Sequence, residues 1–115
     1  MSKRLVVIAN PRSGMDRVGR ELPALIEALD ARSADYEIRA TTHPGHAIEM
    51  AEAAAAEGAT SVVAMGGDGT VNEVVNGLMA VEQVHRPRLG VVAAGSGADF
   101  ARTFDLPAHV DGSLR

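Results

Sequence analysis

Three short apolar runs and one alternating segment, each ending in a polar or glycine-containing break, punctuate the chain, and the first three of these four are followed by residues that suit a helix. The first, Leu5-Val-Val-Ile-Ala9, is continuous rather than alternating, as in a strand buried on both faces, and the Asn10-Pro11 pair after it reads as a turn. A strand is therefore expected over residues 4–10. Within residues 17–31, Val18, Leu22, Leu25, Ile26 and Leu29 recur at spacings of three and four, which makes one apolar helical face. Pro23 interrupts that pattern. Lacking a backbone N–H, it predicts a helix that starts late, near Glu21, with the proline in its first turn.

Tyr36-Glu-Ile-Arg-Ala40 alternates and predicts a second strand, and Thr41-Thr-His-Pro-Gly45 a loop. The alanine-rich stretch 46–57 has high helix propensity, and Gly58 suits its C-terminal stop. Ser61-Val-Val-Ala-Met65 is a third strand, residues 71–79 a third helix, and residues 89–93 a fourth strand entered from Arg86-Pro87-Arg88. This alternation predicts an α/β fold: a parallel sheet with helices on both faces, three layers in all. Such sheets bind ligands beyond the carboxyl ends of their strands. Four loops rich in Gly, Ser, Thr and Asn are expected there, at residues 10–14, 41–45, 66–70 and 95–99.

The third of these carries the strongest chemistry. In Gly66-Gly67-Asp68-Gly69-Thr70-Val71-Asn72-Glu73 a strand breaks into a tight turn and resumes as a helix, whose first N–H groups lack intrahelical partners and favour an anion. Gly66 and Gly67 permit unusual dihedrals and close approach of a ligand. Asp68 offers a carboxylate for a cation or a sugar hydroxyl, and Thr70 a hydroxyl at the expected N-cap. The same turn is also compatible with a plain connection in which Asp68 bonds its own backbone. No Gly-Lys-Ser/Thr follows, so the Walker pattern is excluded.

Composition narrows the partners. At 115 residues the chain is one domain, and with 46% apolar but only 3% aromatic residues its core must come from Val, Leu, Ile, Ala and Met. The absence of Cys removes disulfides and thiolate metal sites and suits a reducing compartment, with the cytoplasm as the expected location. No signal-peptide core or membrane-spanning run is present. A net charge of −4 argues against a nucleic-acid partner, so any phosphate site must be local. His43, His46, His85 and His109 lack metal-ligand spacing and read as surface residues.

With Asn10-Pro11-Arg12-Ser13-Gly14, Gly66 to Glu73 and the loop through Gly95 and Ser96 in hand, the sequence resembles the diacylglycerol kinase catalytic-domain family, in its soluble bacterial lipid-kinase form. The resemblance runs from Leu5 to Pro107, with the three motifs in the family's order. It implies a nucleotide-binding domain over residues 1–107, with residues 108–115 beginning the connection to a second, β-rich domain that this chain lacks. ATP would then contact Asn10, Pro11, Arg12, Ser13, Gly14, Thr41, Gly66, Gly67, Asp68, Gly69, Thr70, Val71, Asn72, Glu73, Gly95 and Ser96, with Asp68 as the catalytic residue and the holder of Mg²⁺. Thr41 and Thr42 could equally cap the following helix, Glu73 could orient the glycine turn, interact through a water with Mg²⁺ or be an exposed first-turn residue, and Asp99 could cap a short helix. Ser96 stands where the family has Thr. The family's Pro and Asn in that loop are here Ala93 and Ala98.

The function implied is a transferase of phospholipid metabolism, an ATP-dependent lipid kinase acting on the hydroxyl of a diacylglycerol or related lipid. The resemblance places the general base and much of the lipid cleft in the second domain, so the isolated chain is expected to be inactive, with peripheral membrane contact belonging to the longer protein. A homodimer is left open. Two other readings are an NAD kinase or phosphofructokinase relative, families that also place Gly-Gly-Asp-Gly after a strand, and a non-catalytic nucleotide-binding module.

Overall fold

The continuous apolar run at the amino terminus becomes an inner strand. β1 (Leu5–Ala9) pairs in parallel with β2 (Tyr36–Ala40) on one side and β3 (Ser61–Gly66) on the other, and β3 pairs in parallel with β4 (Arg88–Ala93). The sheet order is β2-β1-β3-β4. The computed structural model describes residues 5–93, with residues 13–16 and 93 described by their backbone alone.

Alternation along each inner strand divides two cores. Val6, Ile8, Val62 and Ala64 face α2 (His46–Ala56) and α3 (Asp68–Met79), whereas Val7, Ala9, Val63 and Met65 face α1 (Ser13–Ala31). All eight are essentially excluded from solvent, which explains why β1 and, after Ser61, β3 show no polar positions in sequence. The expected three-layer parallel α/β fold is the one observed.

α1 differs from expectation. It begins at Ser13 rather than near Glu21 and carries Pro23 in its interior. Pro23 is exposed, while Val18, Leu25 and Leu29 on the inner face are fully buried on both sides of it. An interior proline costs about 3 kcal/mol. Burying each of these side chains returns roughly 1.5–3 kcal/mol, so a continuous helix wins.

The layer opposite α1 depends on close approach. A Cβ on Gly77 of α3 would lie 2.4 Å from the Ile48 carbonyl oxygen and 2.8 Å from the Ala51 Cβ of α2. Ala47, Ala51 and Ala54, all buried, belong to the same core layer. The helix propensity of alanine and its small size thus serve one purpose, bringing α2 and α3 together over the sheet.

α2 ends as Gly58 predicts. Gly58 adopts φ +91°, its N–H donates to the Ala55 carbonyl (3.1 Å), and the Ala59 N–H reaches back to Ala54 (3.0 Å). A short 3₁₀ turn, Gln83–His85, precedes β4. No helix among the described residues is long and apolar enough to cross a membrane.

Candidate functional site

Parallel connectivity brings the amino ends of all three helices to the edge where the strands end. α1 starts after Arg12, α2 after Gly45 and α3 after Gly67, and none of these three N-cap residues makes a side-chain capping hydrogen bond. Their leading N–H groups are left without intrahelical acceptors, and the partial positive ends of three helices face one region. Between them lies a cleft of about 590 Å³, lined by Asn10, Pro11, Arg12, Thr41, Thr42, His43, Pro44, Ala47, Gly69, Thr70 and Glu73.

The wall from the first loop is set by Asn10. Its N–H extends the sheet by donating to Met65 (3.0 Å), while its Oδ1 accepts from the Arg12 N–H (3.1 Å) and folds the chain into α1. The second wall is anchored at Thr41, whose N–H donates to the Ala9 carbonyl (2.8 Å). Neither Thr41 nor Thr42 caps α2, contrary to one expectation: Gly45, at φ +84°, is its N-cap and has no side chain to offer the first helical N–H groups. Thr42 donates its N–H to Nδ1 of His46 (3.0 Å) instead.

Glu73 ties two elements. It is the sixth residue of α3, half-buried, and its Oε2 accepts the Gly45 N–H at 3.1 Å. The reading of an exposed first-turn glutamate is therefore corrected. The carboxylate holds the β2–α2 loop against α3 and so fixes the width of the cleft. No sequence pattern announces this bond, because its partners are 28 residues apart.

The glycine turn is tighter than expected. α3 begins at Asp68, not at residue 71, and Gly67 is the N-cap. Thr70 accordingly sits in the first helical turn rather than at the cap, with 6% of its surface exposed. Gly67 has φ −90°, ψ −168°, extended backbone open to any residue, so the expectation of unusual dihedrals fails at this position. What remains is space: a Cβ on Gly67 or on Gly69 would meet no neighbouring atom of the described residues within 4 Å. These glycines border open volume, and packing gives no reason for them.

Of the other residues expected to form the site, Gly66 is buried at the end of β3, Asp68 and Asn72 are exposed on α3, and Val71 packs into the core beneath α2 and α3. Ser13 and Gly14 form the first turn of α1. Gly95 and Ser96 lie outside the described residues, as do Ala98 and Asp99. Among the described residues no cluster of three or more His, Asp or Glu could hold a metal by itself. Thr42, His43, Pro44 and Ala47 line the cleft without having been singled out for it. Their signal was adjacency to Thr41 and the Pro-Gly turn that closes the loop.

Comparison with known proteins gives consistent likenesses. The diacylglycerol kinase catalytic domain matches residues 4–115. Diacylglycerol kinases of Staphylococcus aureus strains bovine RF122 / ET3-1 and MRSA252 are each 40% identical over 114 residues, covering 99% of this chain and 36% of their own length. The crystal structure of a diacylglycerol kinase from Bacillus anthracis str. Sterne superimposes with a TM-score of 0.71 at 30% identity, over 95% of this chain and 40% of that one. A phosphate-loop protein solved in solution matches with a TM-score of 0.59 at 23% identity, a likeness of fold alone. The chain thus spans about a third, 36%, of the curated relatives it matches.

Proposed function

Because the chain belongs to the diacylglycerol kinase catalytic domain family, we propose that it is the ATP-binding part of a lipid kinase that transfers the γ-phosphoryl group to a lipid hydroxyl such as that of diacylglycerol. The observation that carries this reading is the cleft where Asn10, Arg12, Thr41, Gly69, Thr70 and Glu73 converge on three helix N-termini whose N-cap residues make no side-chain capping bond. Its volume, about 590 Å³, is in the range of small-molecule sites.

Phosphoryl transfer asks little covalent chemistry of the protein. The lipid oxygen bonds to the γ-phosphorus as the bond to the β-phosphate oxygen breaks, and the hydroxyl proton goes to a base. The protein must hold the phosphates in line and balance their charge. Here the leading amides of α3 and the hydroxyl of Thr70 would serve the phosphates, Asn72 would add a hydrogen bond, and Asn10 and Ser13 would close over the nucleotide. Gly67 and Gly69 leave room for the close approach this needs. Gly95 and Ser96 complete the proposed contacts.

Mg²⁺ would be held by Asp68, a lone exposed carboxylate on the first turn of α3. That donor set fits an ion that keeps much of its water and takes one or two carboxylates beside phosphate oxygens. When bound, Mg²⁺ would supply charge neutralisation at the phosphates. The domain is assigned to residues 1–107. The chain covers 36% of its relatives' length, and we assign the general base and the lipid cleft to the part of them that these 115 residues do not match, so the 115 residues alone are assigned no lipid kinase activity and a cytoplasmic location.

Calorimetric titration with ATP, with and without Mg²⁺, tests the reading in parent and Asp68→Asn proteins. Mg²⁺ should strengthen ATP binding to the parent. The substitution should remove most of that enhancement while leaving metal-free affinity unchanged or slightly improved, since a carboxylate near phosphates repels them without its cation. Equal enhancement in both proteins would return Asp68 to a turn residue.

A further inference from the structure

The structure assigns His43 a role of its own: we infer that its imidazole is the face on which the nucleobase of the bound nucleotide stacks. The inference rests on the nucleotide reading above and names the residue that recognises the base.

His43 and His46 stack, with ring centroids 4.4 Å apart and planes 8° from parallel. The two are not equivalent. His46 is half-buried, and its Nδ1 accepts the Thr42 N–H, so its ring is fixed from below by the loop backbone. His43 is exposed and lines the cleft. Its Nδ1 lies 3.1 Å from the Pro44 carbonyl, which can only accept, so this nitrogen carries a proton and the ring cannot turn without losing the bond. The result is a planar stack anchored at its inner ring, whose outer ring borders the cleft.

The loop beneath it is held as firmly. Thr41 is bonded to β1 through Ala9, and Gly45 to α3 through Glu73. A surface loop without a ligand has no need of two fixed, mutually stacked rings, whose ordering costs side-chain entropy. Nucleobases offer flat π-faces that extend such a stack.

Among the described residues few aromatic rings are available, Phe100 and Phe104 lying outside them. The chain has two Phe, one Tyr and no Trp. Tyr36 opens β2 at the opposite edge of the sheet, where its hydroxyl donates to Asp30 (2.8 Å). Among the described residues, His43 is therefore the aromatic ring that borders the cleft. Phosphates at the α3 amino terminus and a base at His43 would place the nucleotide across the cleft, from one wall to the other.

The test separates base from phosphate. ATP and inorganic tripolyphosphate are titrated by calorimetry into the 115-residue parent, His43→Ala and His43→Phe proteins, with circular dichroism to check folding. His43→Ala should weaken ATP on the order of tenfold, the usual scale of one lost base stack, and leave tripolyphosphate unchanged. His43→Phe should restore ATP affinity. Equal loss for both ligands, or no loss for ATP in His43→Ala, would overturn the assignment, and so would a phenylalanine that fails to restore binding in a folded protein. A parent that binds tripolyphosphate as well as ATP makes no use of the base and overturns it too, leaving a phosphate site. A parent that binds neither removes the nucleotide reading itself.

Discussion

The two edges of the sheet are built from the same helices and hold voids of similar size, yet they differ in what they leave unfinished. At the carboxyl edge α1, α2 and α3 begin at N-cap residues that make no side-chain capping bond, around a cleft of about 590 Å³. At the amino edge the same helices end, and there the backbone is closed. Ser33 and Gly58, both at positive φ, turn α1 and α2 back on their last carbonyls, and Arg86 donates to Leu78 (3.0 Å) and Val81 (2.9 Å) at the end of α3. The amino-edge void is the larger, about 710 Å³, and its ionisable lining residues are three arginines, Arg32, Arg86 and Arg88, with His85. Size would choose that void. Backbone accounting chooses the other, because cations beside helix C-termini complement the negative ends of the dipoles and serve stability, whereas open donors at helix N-termini serve a ligand. An edge that is satisfied is a scaffold; an edge that is not is a site.

The largest effect should come from breaking the frame that both edges share. In Gly77→Ala the new methyl meets the backbone oxygen of Ile48, an atom that cannot swing aside, so α2 and α3 must separate. We expect a loss of roughly 3 kcal/mol in urea denaturation, at the upper end for overpacking, together with weaker ATP binding, because Glu73 and the loop it holds move with α3. A loss below about 0.5 kcal/mol, the level of an ordinary surface change, would show that the seam is not tightly fixed.

Next in size is Arg86→Ala. It removes two charge-assisted hydrogen bonds from a half-buried guanidinium and should cost about 2 kcal/mol. Arg86→Lys should recover little of this, since an ammonium lacks the planar fork that reaches both carbonyls. ATP affinity should be unchanged in both variants, which is the sharper half of the prediction. A parallel fall in affinity would mean that the amino edge takes part in binding.

How far these edges were legible in sequence follows from the range of the interactions involved. Strands buried on both faces announce themselves by unbroken apolar runs, so β1 and β3 were placed within a residue at each end, and with them the edge at which the loops gather. Gly58 was legible as a stop because the penalty at positive φ is local. Pro23 misled for the complementary reason: its local cost is real, and only the burial of Val18, Leu25 and Leu29 against the sheet outweighs it. Thr70 looked like a cap because its residue type favours caps, but Gly67 had already turned the chain and the helix had begun. The bond from Glu73 to Gly45 and the His43–His46 stack depend on tertiary placement and on loop geometry, respectively, which spacing does not encode.

The smallest effects come from a pair of substitutions that move glycine between the edges. At the amino edge Ser33 holds φ +56°, a conformation that suits glycine, while its N–H donates to Asp30 and the Ala34 N–H to Leu29. A left-handed residue other than glycine costs about 1–2 kcal/mol, and glycine's greater freedom in the unfolded chain returns roughly 0.5–1 kcal/mol of that. Ser33→Gly should therefore stabilise by about 0.5 kcal/mol. At the carboxyl edge Gly69 is the second residue of α3, and a methyl group there would meet no neighbouring atom of the described residues within 4 Å. Alanine is better there by up to about 1 kcal/mol in a helix interior and less in a first turn, so Gly69→Ala should also stabilise slightly. Stability cannot tell the two edges apart; ligand binding can. The methyl at residue 69 projects into space that the phosphates are proposed to approach, so Gly69→Ala should weaken ATP on the order of tenfold, the effect of losing about 1.4 kcal/mol, while Ser33→Gly leaves affinity untouched. Denaturation and calorimetry on both variants make the comparison. If Gly69→Ala gains stability and keeps its affinity, then the open space beside α3 is not where the phosphates sit, and the contrast between the two edges loses its functional meaning.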